Sequence, residues 1–310
     1  MPTRTALFMQ KQPGGVFDIQ DLEKHPNDVW FVNSTGGVDG AGYGRNPDSP
    51  FATLDYAIGN CTASKGDVIY VMPGHAETIA ATDGFDVDLA GVKIIGLGWG
   101  SNRPTFTFSA TASQVNIGAA SVWLENLRFI AGVSAVVSGV QVEGKTDFVC
   151  KNCEWDYGGT TGWDFVISLE LEAGSHRAII EDNIFRTEPA TAGPNDFISL
   201  VGVSNSVTIR NNQFYGDCAV ALVLTNDASL HLTFMDNIVF NENDGEPYLE
   251  TKAGTTGINA NTRGYARVST ISDNVVGAAM AHCENFTVNT LGTHAIIKGA
   301  AGTIIADADS

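Results

Sequence analysis

Basic residues are scarce in this chain of 310 residues: Lys+Arg number 17 against 35 Asp+Glu, a formal charge of −18 and a pI near 4.5. No basic stripe can neutralise phosphates, which excludes nucleic acid as a partner. The same deficit excludes an anionic membrane surface. No run of 18 apolar residues occurs, so no helix spans a bilayer. The five cysteines are odd in number and irregularly spaced, which fits reduced thiols rather than a disulfide framework. Residues 1–20 lack a signal-peptide core, because the apolar stretch at 5–9 is short and Lys11, Gln12 and Pro13 follow; synthesis and folding in a cytoplasm are expected. P-loop, GxGxxG and GxSxG motifs are missing, and Gly96-x-Gly98 lacks a third glycine and a following helix.

Turn formers are abundant, with 34 Gly and 22 Asn. Residues 1–27, punctuated by Pro13, Gly14, Gly15 and Pro26, read as an N-terminal arm, either frayed or docking on a partner. Residues 28–77 hold two short strands, at 29–32 and 68–71, and a Gly- and Asp-rich loop at 36–49. The apolar spacing over 51–58 predicts a helix there, with Asp48 or Ser49 as its cap.

From residue 86 onward no amphipathic helix is evident, and one short motif recurs: an apolar residue, any residue, Asn or Asp, two residues, then a large apolar side chain. Its first residues are Leu124, Cys150, Ile180, Ile209 and Phe234, with a weaker copy at Ile271 and a Gly-turn version at Ile94. Spacings of 30, 26, 30, 29, 25 and 37 residues mark a repeat architecture. Such units are too short to bury an apolar face alone and must stack. The reading is a solenoid of eight or nine rungs with further strands at 135–142, 165–171, 197–203 and 219–224. Asn126, Asn152, Asp182, Asn211, Asp236 and Asp273 fall in one column, where short polar side chains tolerate left-handed backbone and bond to the next rung about 4.8 Å away.

The opening block carries a resemblance. Phe31-Val32-Asn33, Asp39-Gly40, Gly42-x-Gly44, Asn46-Pro47-x-Ser49-Pro50-Phe51-Ala52-Thr53-Leu54-x-x-Ala57 and Gly66-Asp67-x-Ile69-Tyr70-Val71-x-Pro73-Gly74 resemble the N-terminal cap of pectate-lyase-like right-handed parallel β-helices. The resemblance implies an all-β fold: a capping segment at 28–77 containing the helix, coils over 78–290, and 291–310 as a C-terminal cap or inter-subunit segment. This class hosts lyases, hydrolases, esterases and non-enzymatic virus proteins, so it leaves function open.

Asp182 and Asp236, two rungs apart and about 9.6 Å by strand spacing, approach the separation of an inverting carboxylate pair. Membership of a turn ladder is the plainer reading of both. Glu154, Asp156 and Asp164 beside Trp155, Tyr157 and Trp163 suggest a sugar shelf; Trp155 is claimed by the core pattern, which leaves Asp156, Tyr157 and Trp163 as glycan contacts. Arg128, Arg177, Arg186 and Arg210 are the candidate bases of a lyase, although outward strand positions account for them. No metal or cofactor is expected: His25, His75, His176, His231, His282 and His294 are scattered, Cys150-x-x-Cys153 is a lone pair with Cys150 at a core position, and Asp39-Gly40-x-Gly42 and Asn243-Asp244-Gly245 read as tight turns. The resemblance, with no catalytic constellation, points to a bacteriophage virion protein made in the host cytoplasm. A capsid-surface decoration is favoured over a tail piece, as a homotrimer attached to capsid or tail through residues 1–27. A polysaccharide lyase, glycoside hydrolase, tailspike-like depolymerase or a module binding cell-surface glycan is the alternative.

Overall fold

The computed structural model describes residues 27–266 except 83, 158, 161 and 188–192, plus the strand backbone at Met9–Gln10, Phe17–Asp18, Val276–Gly277 and Asn285–Val288. Asp273, His25, His282, His294, the segment 291–310 and most of the arm lie outside the described residues; within the arm, Met9–Gln10 pairs antiparallel with Phe17–Asp18.

Three columns of parallel strands build a right-handed parallel β-helix. The first column runs through Val29–Val32, Val68–Val71, Lys93–Gly96, Trp123–Glu125, Val149–Lys151, Ile179–Glu181, Thr208–Arg210, Leu232–Met235 and the start of Gly257–Ala266. The second runs through Ala76–Ile79, Thr105–Phe108, Arg128–Ala131, Glu154–Tyr157, Ile184–Arg186, Gln213–Gly216, Ile238–Asn241 and the end of Gly257–Ala266. The third contains seven strands, Val115–Ile117, Val136–Val142, Phe165–Leu171, Asp196–Leu200, Val223–Thr225, Leu249–Thr251 and Val276–Gly277. The eight or nine expected rungs therefore resolve into seven turns with all three strands, preceded by a turn at Val68 whose third side is a single bridge, Asp86 to Asn116, and by a partial turn at Val29.

Alternation within each short strand sends one side chain inward per pleat. The inward column Ile69, Ile94, Leu124, Cys150, Ile180, Ile209 and Phe234 is fully buried. Beside it Phe106, Phe129, Trp155, Phe185 and Phe214 stack ring on ring, with Trp155 and Phe185 at 4.6 Å and Phe185 and Phe214 at 5.0 Å between centroids. Cys150 is a small core side chain, and Trp155 belongs to the core, as their motif positions require.

The repeat after Phe234 differs from the expectation. Register pairs Phe234 with Asn259 and Met235 with Ala260, so the next copy starts at residue 259, a spacing of 25 rather than 37. Asn259 sits where every earlier copy has an apolar residue or cysteine, which hides this copy from a hydrophobic search. Its buried amide donates to the Tyr248 hydroxyl at 2.8 Å.

The cap also differs in detail. Helix α1 spans Leu54–Ile58 and its N-cap is Thr53, whose hydroxyl accepts from the Tyr56 N–H, rather than Asp48 or Ser49. Phe51 is not helical because its backbone is committed to the first strand: its N–H donates to the Phe31 carbonyl, and its own carbonyl accepts from Asn33 N–H. Its ring closes the coil against Trp30 at 5.3 Å. Asp39 binds the helix start, its carboxylate accepting from the N–H groups of Ala52 and Thr53 and from the Thr53 hydroxyl. A buried histidine completes the joint: His75 Nδ1 accepts from Ser34 N–H, so its proton sits on Nε2, 3.0 Å from a Glu77 carboxylate oxygen that also accepts from Leu54 N–H.

Candidate functional site

The turn between the first and second columns carries the chemistry-bearing residues singled out by the repeat. Asn126, Asn152, Asp182, Asn211 and Asp236 all adopt left-handed φ of 51–59°. Asn261 continues the column at φ 51°, in register after Asp236. Direct bonding along this outer column is partial. Asn152 Nδ2 donates to Asn126 Oδ1, the Asn261 amide donates to Asp236, and Asn126 donates to the carbonyls of Gly96 and Gly98.

The continuous amide ladder lies one residue further on and inside the coil. Asn183, Asn212 and Asn237 are each 0 % exposed. Asn212 Oδ1 accepts from both the backbone N–H and the side-chain amide of Asn183, each at 3.0 Å, and Asn237 Oδ1 does the same for Asn212. Each amide also donates back to the preceding turn, to the carbonyls of Cys150, Ile180 and Ile209 respectively. The sequence signal was the second asparagine in Asp182-Asn183, Asn211-Asn212 and Asp236-Asn237. A turn alone explains the first asparagine or aspartate, so the pattern by itself gives the second no separate role.

Asp182 and Asp236 are thus separated by Asn211 within one column of exposed turns, and Lys151 Nζ lies 3.5 Å from Asp182. Asparagine serves the same backbone geometry at four other positions of that column. The double variant Asp182→Asn, Asp236→Asn is expected to unfold within about 0.5 kcal/mol of the parent, as chemical denaturation would measure, and to leave any activity on polysaccharides unchanged. A fall in such activity would make the pair catalytic.

Of the acidic and aromatic group at 154–164, Trp155 and Asp164 are withdrawn into the interior. Glu154 and Asp156 point outward from the second column, Trp155 between them points into the core, and Asp164 is buried beyond the following loop, where it accepts from the Thr187 hydroxyl at 2.8 Å. Period-two alternation separates neighbours that look clustered in sequence. Tyr157 and Trp163 are half-buried, and Asp156 is held by Arg128 at 2.6 Å.

Outward charges brace successive turns. Glu154 lies between Arg103, two turns earlier and at 3.1 Å, and Arg186 on the next turn. Glu181 lies between Lys151 at 2.8 Å and Arg210 at 2.6 Å. Burial pushes the Glu181 carboxyl up, but these two cations outweigh it and hold it below the usual range. Arg177 makes a two-pronged bond to Asp147, both contacts at 2.7 Å.

Carboxylates in the third column experience the opposite field. Burial and the charges of Glu170 and Glu143 raise Glu172. Asp196, 3 % exposed, is pushed up to about 7 by burial; the Glu250 charge adds to this, while the Ala221 N–H and the Ser199 hydroxyl oppose it. The buried Cys218 thiol is driven well above its ordinary value by burial and then by Asp196 and Asp217. Among the described residues no group of three or more His, Cys, Asp or Glu is placed to hold a metal ion.

No protein-family model matches the chain, and no curated protein matches it. Among solved structures it is similar to a rhamnogalacturonan lyase, 11% identical over 84% of this chain and 87% of that chain, with a TM-score of 0.38. The fold stands on the strand pairing itself.

Proposed function

We propose that this chain is a non-enzymatic structural protein of a phage particle, a capsid-surface decoration that assembles side by side as a trimer. The observation that carries the structural reading is the employment of its charged groups. A lyase of this architecture needs an arginine free to take a proton, yet Arg128, Arg177, Arg186 and Arg210 each end on a carboxylate of a neighbouring turn. These side chains hold the rod together. The particle assignment rests on the resemblance of a coil-only chain with an N-terminal arm to phage virion proteins.

Lateral assembly is supported by uncovered apolar side chains. Val203 and Leu230, on the connections from the third column to the first, and Ile258, an outward residue of the first column, are each more than 40 % exposed. A straight rod offers such side chains to symmetry mates along its length. Light scattering is expected to give a mass of three times 32.8 kDa, and Leu230→Glu with Ile258→Glu is expected to give a folded monomer. A monomeric parent, or polysaccharide cleavage by it, would overturn the proposal.

A further inference from the structure

The interior amide ladder begins on a pair of cysteines. Strand register sets Cys153 beside Asn183, at the position that Asn212 and Asn237 fill in later turns. Across the left-handed turn at Asn152, Cys150 also points inward, from the first column. In the neighbouring turns the corresponding pairs are Leu124 with Leu127 and Ile180 with Asn183. Both cysteines are free and 0 % exposed. One carboxamide grips them together. Asn183 Oδ1 accepts from the Cys153 N–H at 2.8 Å and from the Cys150 thiol at 3.7 Å, and Asn183 Nδ2 donates to the Cys150 carbonyl at 3.1 Å. The Cys153 thiol turns back over its own turn, 3.4 Å from the Lys151 carbonyl. Burial pushes the Cys150 thiol well above its ordinary value, and a hydrogen bond to the Cys153 thiol adds to this. The two sulfurs are therefore in contact inside one turn.

We propose that Cys150 and Cys153 are an oxidation site: a small disulfide such as oxidised glutathione converts them to a disulfide bond that fits the folded turn and clamps the first column to the second at the head of the ladder. One protein thiol gives up its proton and displaces a glutathione thiolate from the oxidant, which leaves a mixed disulfide. The second protein thiol gives up its proton and displaces the other glutathione. Two S–H bonds become one S–S bond, and one oxidised glutathione departs as two reduced molecules carrying the two protons. Burial keeps both thiols protonated and out of reach, so the step proceeds through opening of this turn and is slow in the native chain. A reducing cytoplasm holds the pair as thiols, and an oxidising medium closes it. The bond restricts the opened chain more than the folded one, so the oxidised form is the more stable. This site is independent of the proposed function.

Peptide mapping of the full chain tests it. The chain is refolded with oxidised glutathione, which gives the pair access whatever the native opening rate, then alkylated, denatured and cleaved after Lys and Arg. Lys151 lies between the two cysteines, so their bond is expected to join peptide 146–151 to peptide 152–177. The oxidised chain is expected to melt about 3–6 °C above the reduced chain, and dithiothreitol is expected to reverse both changes. Cys153→Ser removes the second thiol, and Cys153→Asn does so with the residue that later turns carry at this position. Both variants are expected to lose the joined peptide and the rise in melting. Peptides that stay separate in the oxidised parent overturn the proposal, as does a joined peptide in a chain that melts no higher than its reduced form. A rise in melting that persists in both variants also overturns it, assigning the effect to another cysteine.

Discussion

Replacing Asn212 with leucine is expected to destabilise the rod by about 3–5 kcal/mol, while replacing its neighbour Asn211 with glycine is expected to change stability by less than about 0.5 kcal/mol. The two asparagines differ only in which way they face. Asn211 holds an exposed turn at φ 56°, a conformation glycine adopts freely. Asn212 is 0 % exposed, with its oxygen and its amide both engaged on the neighbouring turns. Leucine fits the volume but leaves the Asn183 N–H buried with no partner, at about 1–3 kcal/mol, and removes the amide bonds to the Ile180 carbonyl and to Asn237. The chain of amides from Asn183 through Asn237 is cut at its middle, so the loss exceeds that of one bond. Denaturant midpoints for the two variants check the contrast. Equal effects would show that the interior amides are not the ladder that aligns the turns.

The second large effect concerns pH. Asp196 ionises at its ordinary value of 3.8 when unfolded and at about 7 when folded. Between those values the unfolded chain has given up a proton that the folded chain keeps, so stability falls as pH rises. The contribution is fully present below pH 3.8, is lost progressively as pH rises to about 7, and is constant above. The interval, 7 − 3.8 = 3.2, corresponds to about 4 kcal/mol at about 1.4 kcal/mol per unit. Asp196→Asn removes the titration. The variant is expected to be more stable than the parent above pH 7 and to flatten the slope between pH 4 and 7, as unfolding followed across that range would show. A parent whose stability does not change over that interval would place the Asp196 carboxyl in contact with solvent.

Much of the coil was legible because its signals are local. The strands at Val29–Val32, Val68–Val71 and Phe165–Leu171 follow from short β-branched runs between turn formers. The left-handed turns at Asn126, Asn152, Asp182, Asn211 and Asp236 follow from the one side-chain class that tolerates that backbone. The copy at Asn259 was not legible, since a polar residue satisfied by the distant Tyr248 cannot be told from a loop residue by pattern. Nor was the helix start at Leu54, because Phe51 was drawn into pairing with the first strand.

The sequence by itself determined the period, the inward side chains and the turn column, all properties of a single repeat and its immediate neighbours. Tertiary structure alone decided which polar residues meet. Glu154 faces Arg103 and Arg186 from turns far apart in the chain, Asp164 separates from Asp156, and Phe31 and Tyr70 are covered on the side of the sheet that should face water. Stacking sets those relations, and the spacing from one turn to the next varies between 25 and 30 residues. The loops absorb that variation, so the inward residues stay in register while the polar residues that meet across turns do not follow from the spacing.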